Sequence, residues 1–246
     1  MIVETLAIAR RFCGPPKSGN GGYVCGRLAK HLHGPTAVRL RVPPPLETEM
    51  LVEASENRAR LLQGTIVIAE AQGAEIELSA LTPPSFPEAV EAARSYLGFI
   101  RHSFPRCFVC GPKRTFGDGM RIFPGLIEAR SIVAAPWIPD ASLAERSGTL
   151  APEFIWAALD CPSGFAVLPV PEGKTLVLGE LCARVGSAVR PGDRYVVIGW
   201  PLHVDGRKRY AGSAIFTESG DAVAVGRATW IEVPVTAFTS ESPCGQ

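Results

Sequence analysis

The sequence is short of charge of either sign in excess. Twenty-five Lys and Arg against 24 Asp and Glu leave a net charge of +1. A general nucleic-acid surface needs a strong basic excess, so that class is excluded. Histidine (4) and methionine (3) are scarce, and aromatic residues make up 8%. With four histidines spread along the chain, no His cluster suggests itself as a metal or catalytic centre. No apolar run approaches the ~18 residues needed to span a bilayer. The first residues, "MIVETLAIARRF", carry an acid and only a short apolar run, so they do not form a signal peptide. Cysteine is present but unpatterned: an odd seven, at Cys13, Cys25, Cys107, Cys110, Cys161, Cys182 and Cys244. That is no secreted disulfide framework, and a cytoplasmic protein with reduced thiols is expected.

What is present suffices for a core. Of 246 residues, 46% are hydrophobic and 20% charged, enough for one large domain or two ordinary ones. The pattern occurs twice. A Gly-rich start and short helix (about Gly21 to Leu32) lead into "TAVRLRV", where Val38, Leu40 and Val42 alternate with Arg39 and Arg41 as in a strand with one polar face. "EMLVEAS", "RARLLQGTIVIAEA" and "AEIELSA" follow, separated by turn signals. In the second half the helix "PEFIWAALD" precedes "TLVLGELCARVGSAV", "RYVVIGWPLHV", "RKRYAGSAIFTE" and "AVAVGRATWIEV". The last hairpins are matched as "AEAQGAEIEL" with "TESGDAVAVG". Between the halves, "FPEAVEAARSYLGFI" has the spacing of an amphipathic helix. The expected division is residues 1–100 and 101–246. Each half is a helix wrapped by an antiparallel sheet, and pairing of the outer strands between halves would remove an exposed edge.

Three segments carry a resemblance to a known family: "GNGGYVCGRLA", "APEFIWAALD" and "CFVCGPKRTFGDGMRIFPG". The chain resembles the hotdog-fold thioesterase superfamily in its fused double-hotdog form. Asn20 stands where the family's His-Gly-Gly helix start has His, and Asp160 stands where the second helix ends on the family's catalytic Asp. The resemblance implies an α+β fold of two tandem hotdogs forming a pseudo-dimer with a continuous sheet, and a site shared between the halves. Aligned on that template, Asn20-Gly21-Gly22 matches Ala151-Pro152-Glu153, and Ala29 matches Asp160. The first half keeps the glycines without the acid; the second keeps the acid without the glycines. One composite site per chain is therefore expected, with Gly22 and then Gly21 as oxyanion donors, Asn20 as helix cap or substrate contact, and Asp160 as general base for a water or, second, as nucleophile on the thioester carbon. A gap of about 5–8 Å between the Gly22 nitrogen and the carboxylate would hold the thioester carbon and a water. Tyr23 and Trp156 are candidates for lining the acyl pocket. Arg207, Lys208 and Arg209, or Lys113 and Arg114, are candidates for coenzyme A phosphates.

Other features have plainer readings. Glu153 suits its helix's first turn as a dipole partner. Pro162 is expected to end or kink the helix after Asp160. Cys107 and Cys110 form a lone Cys-x-x-Cys with no second pair, so no metal is expected. Cys161 has no histidine partner that would make it a nucleophile. The expected activity is acyl-CoA thioester hydrolysis, with coenzyme A part of the substrate and no other cofactor. The expected partner is a small acyl thioester, without nucleic acid or membrane, with self-association beyond the pseudo-dimer left open. The alternative is a non-catalytic hotdog that binds acyl-CoA or a small ligand. A hotdog dehydratase or hydratase ranks last, because the Asp-x-Asn-Pro-x-x-His pattern of the hydratase branch is absent.

Overall fold

A computed structural model describes residues 2–79 and 81–238. Eleven strands form a single sheet: β1 (Ile2–Leu6), β2 (Thr36–Leu40), β3 (Met50–Ala54), β4 (Arg58–Gln63), β5 (Ile66–Gly73), β6 (Gly125–Ile127), β7 (Ile132–Trp137), β8 (Lys174–Val185), β9 (Tyr195–Asp205), β10 (Lys208–Thr217) and β11 (Ala222–Pro234). Among the described residues three α-helices accompany them: α1 (Gly21–Ala29), α2 (Phe86–Arg94) and α3 (Pro152–Ala166). The strand order is β1-β3-β4-β5-β2-β8-β11-β10-β9-β7-β6, with every pairing antiparallel. Setting β6 aside, β1, α1 and β2–β5 map in order onto β7, α3 and β8–β11. The halves join where β2 pairs with β8, Val38 opposite Leu181. That junction makes the sheet continuous and converts two edges into one ladder. The fold is the double hotdog expected from the sequence.

Alternation decides which face each strand turns inward. In β2, Val38 is fully buried and Arg39 exposed. Arg39 then bonds Glu180 across the junction at 2.6 Å. The inner face packs on α1 and α3, which lie against each other and carry the main core, including Val24, Leu28, Ile155 and Leu159. A second, smaller core lies on the other face, where Ala89 and Ala92 of α2 meet Ile132, Ile198, Trp200 and Phe216. α2 begins at a full capping box between Ser85 and Glu88. The division at residue 100 places α2 with the first half, but the helix packs on β6, β7 and β9 of the second.

Three local expectations need correction. The last hairpin of the first half turns at Gly64 (φ +57°), not at Gln72-Gly73, because a two-residue turn needs the left-handed region there. Its counterpart in the second half is therefore the "ESGD" turn between β10 and β11, matched to "QGT" instead of "AQG". Residues 74–79 then form no strand; Ile76 instead joins the outer core. The end of that segment, Ala80, and Cys244 lie outside the described residues. Third, α3 does not stop at Pro162 but runs on to Ala166. The Ser163 hydroxyl donates to the Asp160 carbonyl at 2.6 Å and accepts from Trp230 Nε1 at 2.9 Å. Gly199 of β9 lets the strand sit against this turn, since a Cβ there would lie 2.3 Å from the Pro162 carbonyl oxygen.

Candidate functional site

The site begins with helix periodicity. Gly22 and Gly26 are four apart on α1, and Glu153, Trp156, Ala157 and Asp160 recur at three or four on α3, so each set lies along one face. The two faces meet across the pseudo-dimer interface. A Cβ on Gly22 would lie 2.5 Å from Asp160 Cβ and 2.7 Å from the Trp156 carbonyl oxygen. One on Gly26 would lie 2.4 Å from Glu153 Cα. Gly21 is likewise pressed by Leu178, at 2.8 Å. Gly22 and Gly26 thus let α3 approach, and Gly21 the Leu178 side chain of β8, whereas a ligand had been expected to approach Gly21 and Gly22.

Asp160, 2% exposed, accepts from the Gly22 N–H at 2.9 Å and from Asn20 Nδ2 at 2.9 Å, both through Oδ2. Asn20 is also buried and is the helix cap, its Oδ1 accepting from the Tyr23 N–H at 2.9 Å. The composite pairing of the two half-sites is present, but as a direct hydrogen bond, not as a gap with room for a substrate. The Gly22 donor is spent on the carboxylate. The other oxygen, Oδ1, is buried with no hydrogen-bond partner. Burial pushes the Asp160 carboxyl up to about 7; the Gly22 and Asn20 bonds pull it down, and Cys107 adds to the rise. Such a displacement is worth roughly 4 kcal/mol between the two protonation states. The mirrored end has no such arrangement. Proline 152 has no N–H, the α3 cap Ala151 makes no side-chain bond, and Glu153 pairs with Arg27 at 3.6 Å.

The remaining candidates lie elsewhere. Tyr23 is core: it stacks on Phe12 at 4.3 Å and packs by Phe108 and Phe154, its hydroxyl accepting from Arg27 at 3.1 Å. Trp156 is buried between the helices. Arg114 is half-buried and engaged by Asp118 and by the Arg106 and Arg11 carbonyls, whereas Lys113 is exposed. Arg207 and Lys208 sit at the exposed β9–β10 hairpin. Arg209 turns inward to Glu232 at 2.6 Å and to the Val167 carbonyl at 2.9 Å. That anchors it at the end of α3, about 10 Å along the helix from Asp160. Replacing Arg209 by Met should therefore lower stability by about 2 kcal/mol, because Glu232 is left largely buried and unpaired. Arg207→Ser should change it by less than about 0.5 kcal/mol. Urea midpoints of the two variants check the contrast; equal midpoints would return Arg209 to the solvated hairpin.

Spacing along the sequence did not reveal that the segment after α2 folds back onto the first half. Phe108 N–H donates to the Cys13 carbonyl at 2.8 Å. This brings Cys107 to within 3.7 Å, sulfur to sulfur, of Cys161, which neighbours Asp160. A third cysteine beside the catalytic candidate was the one available signal.

No protein-family model matches the sequence, and no curated protein matches it significantly. Similar solved structures share the fold over nearly the whole chain. One assigned as a thioesterase II, from Thermobifida fusca, is 15% identical with a TM-score of 0.58, covering 94% of this chain and 92% of its own. One assigned as a thioesterase, from Novosphingobium aromaticivorans, is 11% identical at 0.59, covering 93% and 94%. The tesB protein of Mycobacterium avium subspecies paratuberculosis is 13% identical at 0.52, covering 87% of each. The chain is a double hotdog, a fold it shares with these structures.

Proposed function

We propose that the chain hydrolyses an acyl thioester, with coenzyme A as the carrier, at one site formed by Asn20 and Gly22 of α1 and Asp160 of α3. The supporting observation is a buried carboxylate held by donors from the other half, with Oδ1 left unpartnered. Keeping such a group out of water is costly, and no second group offsets that cost at Oδ1. In this reading Oδ1 takes a proton from a water while the water oxygen bonds to the thioester carbon. Negative charge gathers on the carbonyl oxygen at the start of α1, where the helix N-terminus favours it. The C–S bond then breaks, the thiol leaves with a proton, and a carboxylic acid remains. Because Asp160 holds the Gly22 N–H, the substrate carbonyl must take over that donor on binding.

That same bond favours a second reading. Asp160 would serve only as the partner of α1's first turn, and the protein would bind an acyl thioester without turning it over. A hydrolysis screen over acyl-CoA chain lengths, beside equilibrium binding, separates the two. Turnover by the wild type supports hydrolysis; saturable binding with no turnover at any chain length supports the binding protein.

A further inference from the structure

We propose that Cys107, Cys110 and Cys161 bind a zinc ion. The ligand atoms of all three lie within 4.8 Å of one another, and the residues are buried. Tetrahedral zinc with thiolates at about 2.3 Å places neighbouring sulfurs about 3.8 Å apart; Cys107 and Cys161 stand at 3.7 Å. Residues 107–111 form a tight turn that only glycine closes. A Cβ on Gly111 would lie 2.5 Å from the Cys107 carbonyl oxygen and 2.6 Å from its nitrogen. Cys161 comes from α3, so the ion would tie the loop after α2 to that helix.

Hydrogen-bond donors ring the sulfurs. The Cys110 backbone N–H donates to the Cys107 sulfur. Asn20 Nδ2 lies 3.8 Å from Cys107 Sγ and 4.0 Å from Cys161 Sγ. His102 Nε2 is 3.3 Å from Cys110 Sγ. Its Nδ1 accepts from the Phe104 N–H at 2.9 Å, so in the neutral ring the proton sits on Nε2 and points at the sulfur. His102 therefore supports the site as a donor and is not the fourth ligand. Three thiolates and Zn²⁺ leave one net negative charge, which these donors offset. The fourth position falls to a water or another small ligand. Binding releases to solvent the protons that the thiols still carry.

The test is independent of hydrolysis. The full chain is purified under reducing conditions, reconstituted with Zn²⁺, gel-filtered and analysed for metal. About one zinc per chain is expected in the wild type and in Cys182→Ser, with at least a tenfold loss in Cys107→Ser and Cys161→Ser. Cobalt loaded into the wild type should show thiolate charge-transfer absorption and the strong visible bands of tetrahedral Co²⁺, which decides the matter even if a variant fails to fold. Chelation should lower the melting temperature of the wild type by several degrees and leave Cys107→Ser unmoved. Wild-type zinc no higher than in Cys107→Ser, or a cobalt spectrum without sulfur ligation, overturns the proposal. So does a Cys107–Cys161 disulfide persisting under reductant, detected by alkylation and mass.

Discussion

Gly26→Ala will lower the melting temperature by about 4–8 °C, overpacking less the gain in helix propensity. The new methyl carbon would sit 2.4 Å from Glu153 Cα and 2.9 Å from Trp156 Cβ. Neither is the movable end of a side chain, so α1 and α3 must separate. Overpacking of this kind costs about 3 kcal/mol, and each kcal/mol moves the midpoint by about 2–4 °C in a chain of this size. Helix propensity acts the other way, since Ala exceeds Gly by about 1 kcal/mol in a helix interior. The sign of the change is therefore diagnostic. Thermal melts by circular dichroism would show a fall if the helices are in backbone contact. A rise would mean that propensity wins and that the close approach is not needed.

Asp160→Asn should lower kcat for thioester hydrolysis by about 10²–10⁴-fold, the range general-base catalysis supplies, with the fold intact. The amide is nearly isosteric. Its oxygen can accept from the Gly22 N–H and Asn20 Nδ2 as Oδ2 does now, and its nitrogen takes the place of the unpartnered Oδ1. What it cannot do is take a proton from water. Steady-state rates, acyl-CoA affinity and melting temperature measured on one preparation separate the possibilities. A loss of turnover with binding and melting retained supports the catalytic role. Unchanged turnover would make Asp160 a helix partner only, and a collapse in melting temperature would make it structural first.

The parts of this protein legible in the sequence are those that local chemistry controls. Alternation of Val38 and Leu40 with Arg39 and Arg41 marked a strand with one wet face, and the turns at "RPGD", "VDGR" and "ESGD" separate β8–β11 as expected. The two-half pattern pointed to the pseudo-dimer, and the resemblance to hotdog-fold thioesterases pointed to Asn20, Gly22 and Asp160, which the fold does bring together. β1 was not legible, because five residues with mostly exposed side chains become a strand only by pairing with β3. The turn at Gly64 was hidden for a similar reason: an apolar run on both sides looks continuous until the register of β4 against β5 is known. Only the tertiary structure decided what the glycines are for. Backbone exposed at a helix start suits a ligand or a neighbouring helix equally well, and the choice depends on what the chain places there 138 residues later. The thiol cluster is of the same kind. Cys107 and Cys110 lacked further ligands along the sequence, and folding supplied Cys161, because side chains distant in sequence acquire a common distance only when two buried faces close on each other.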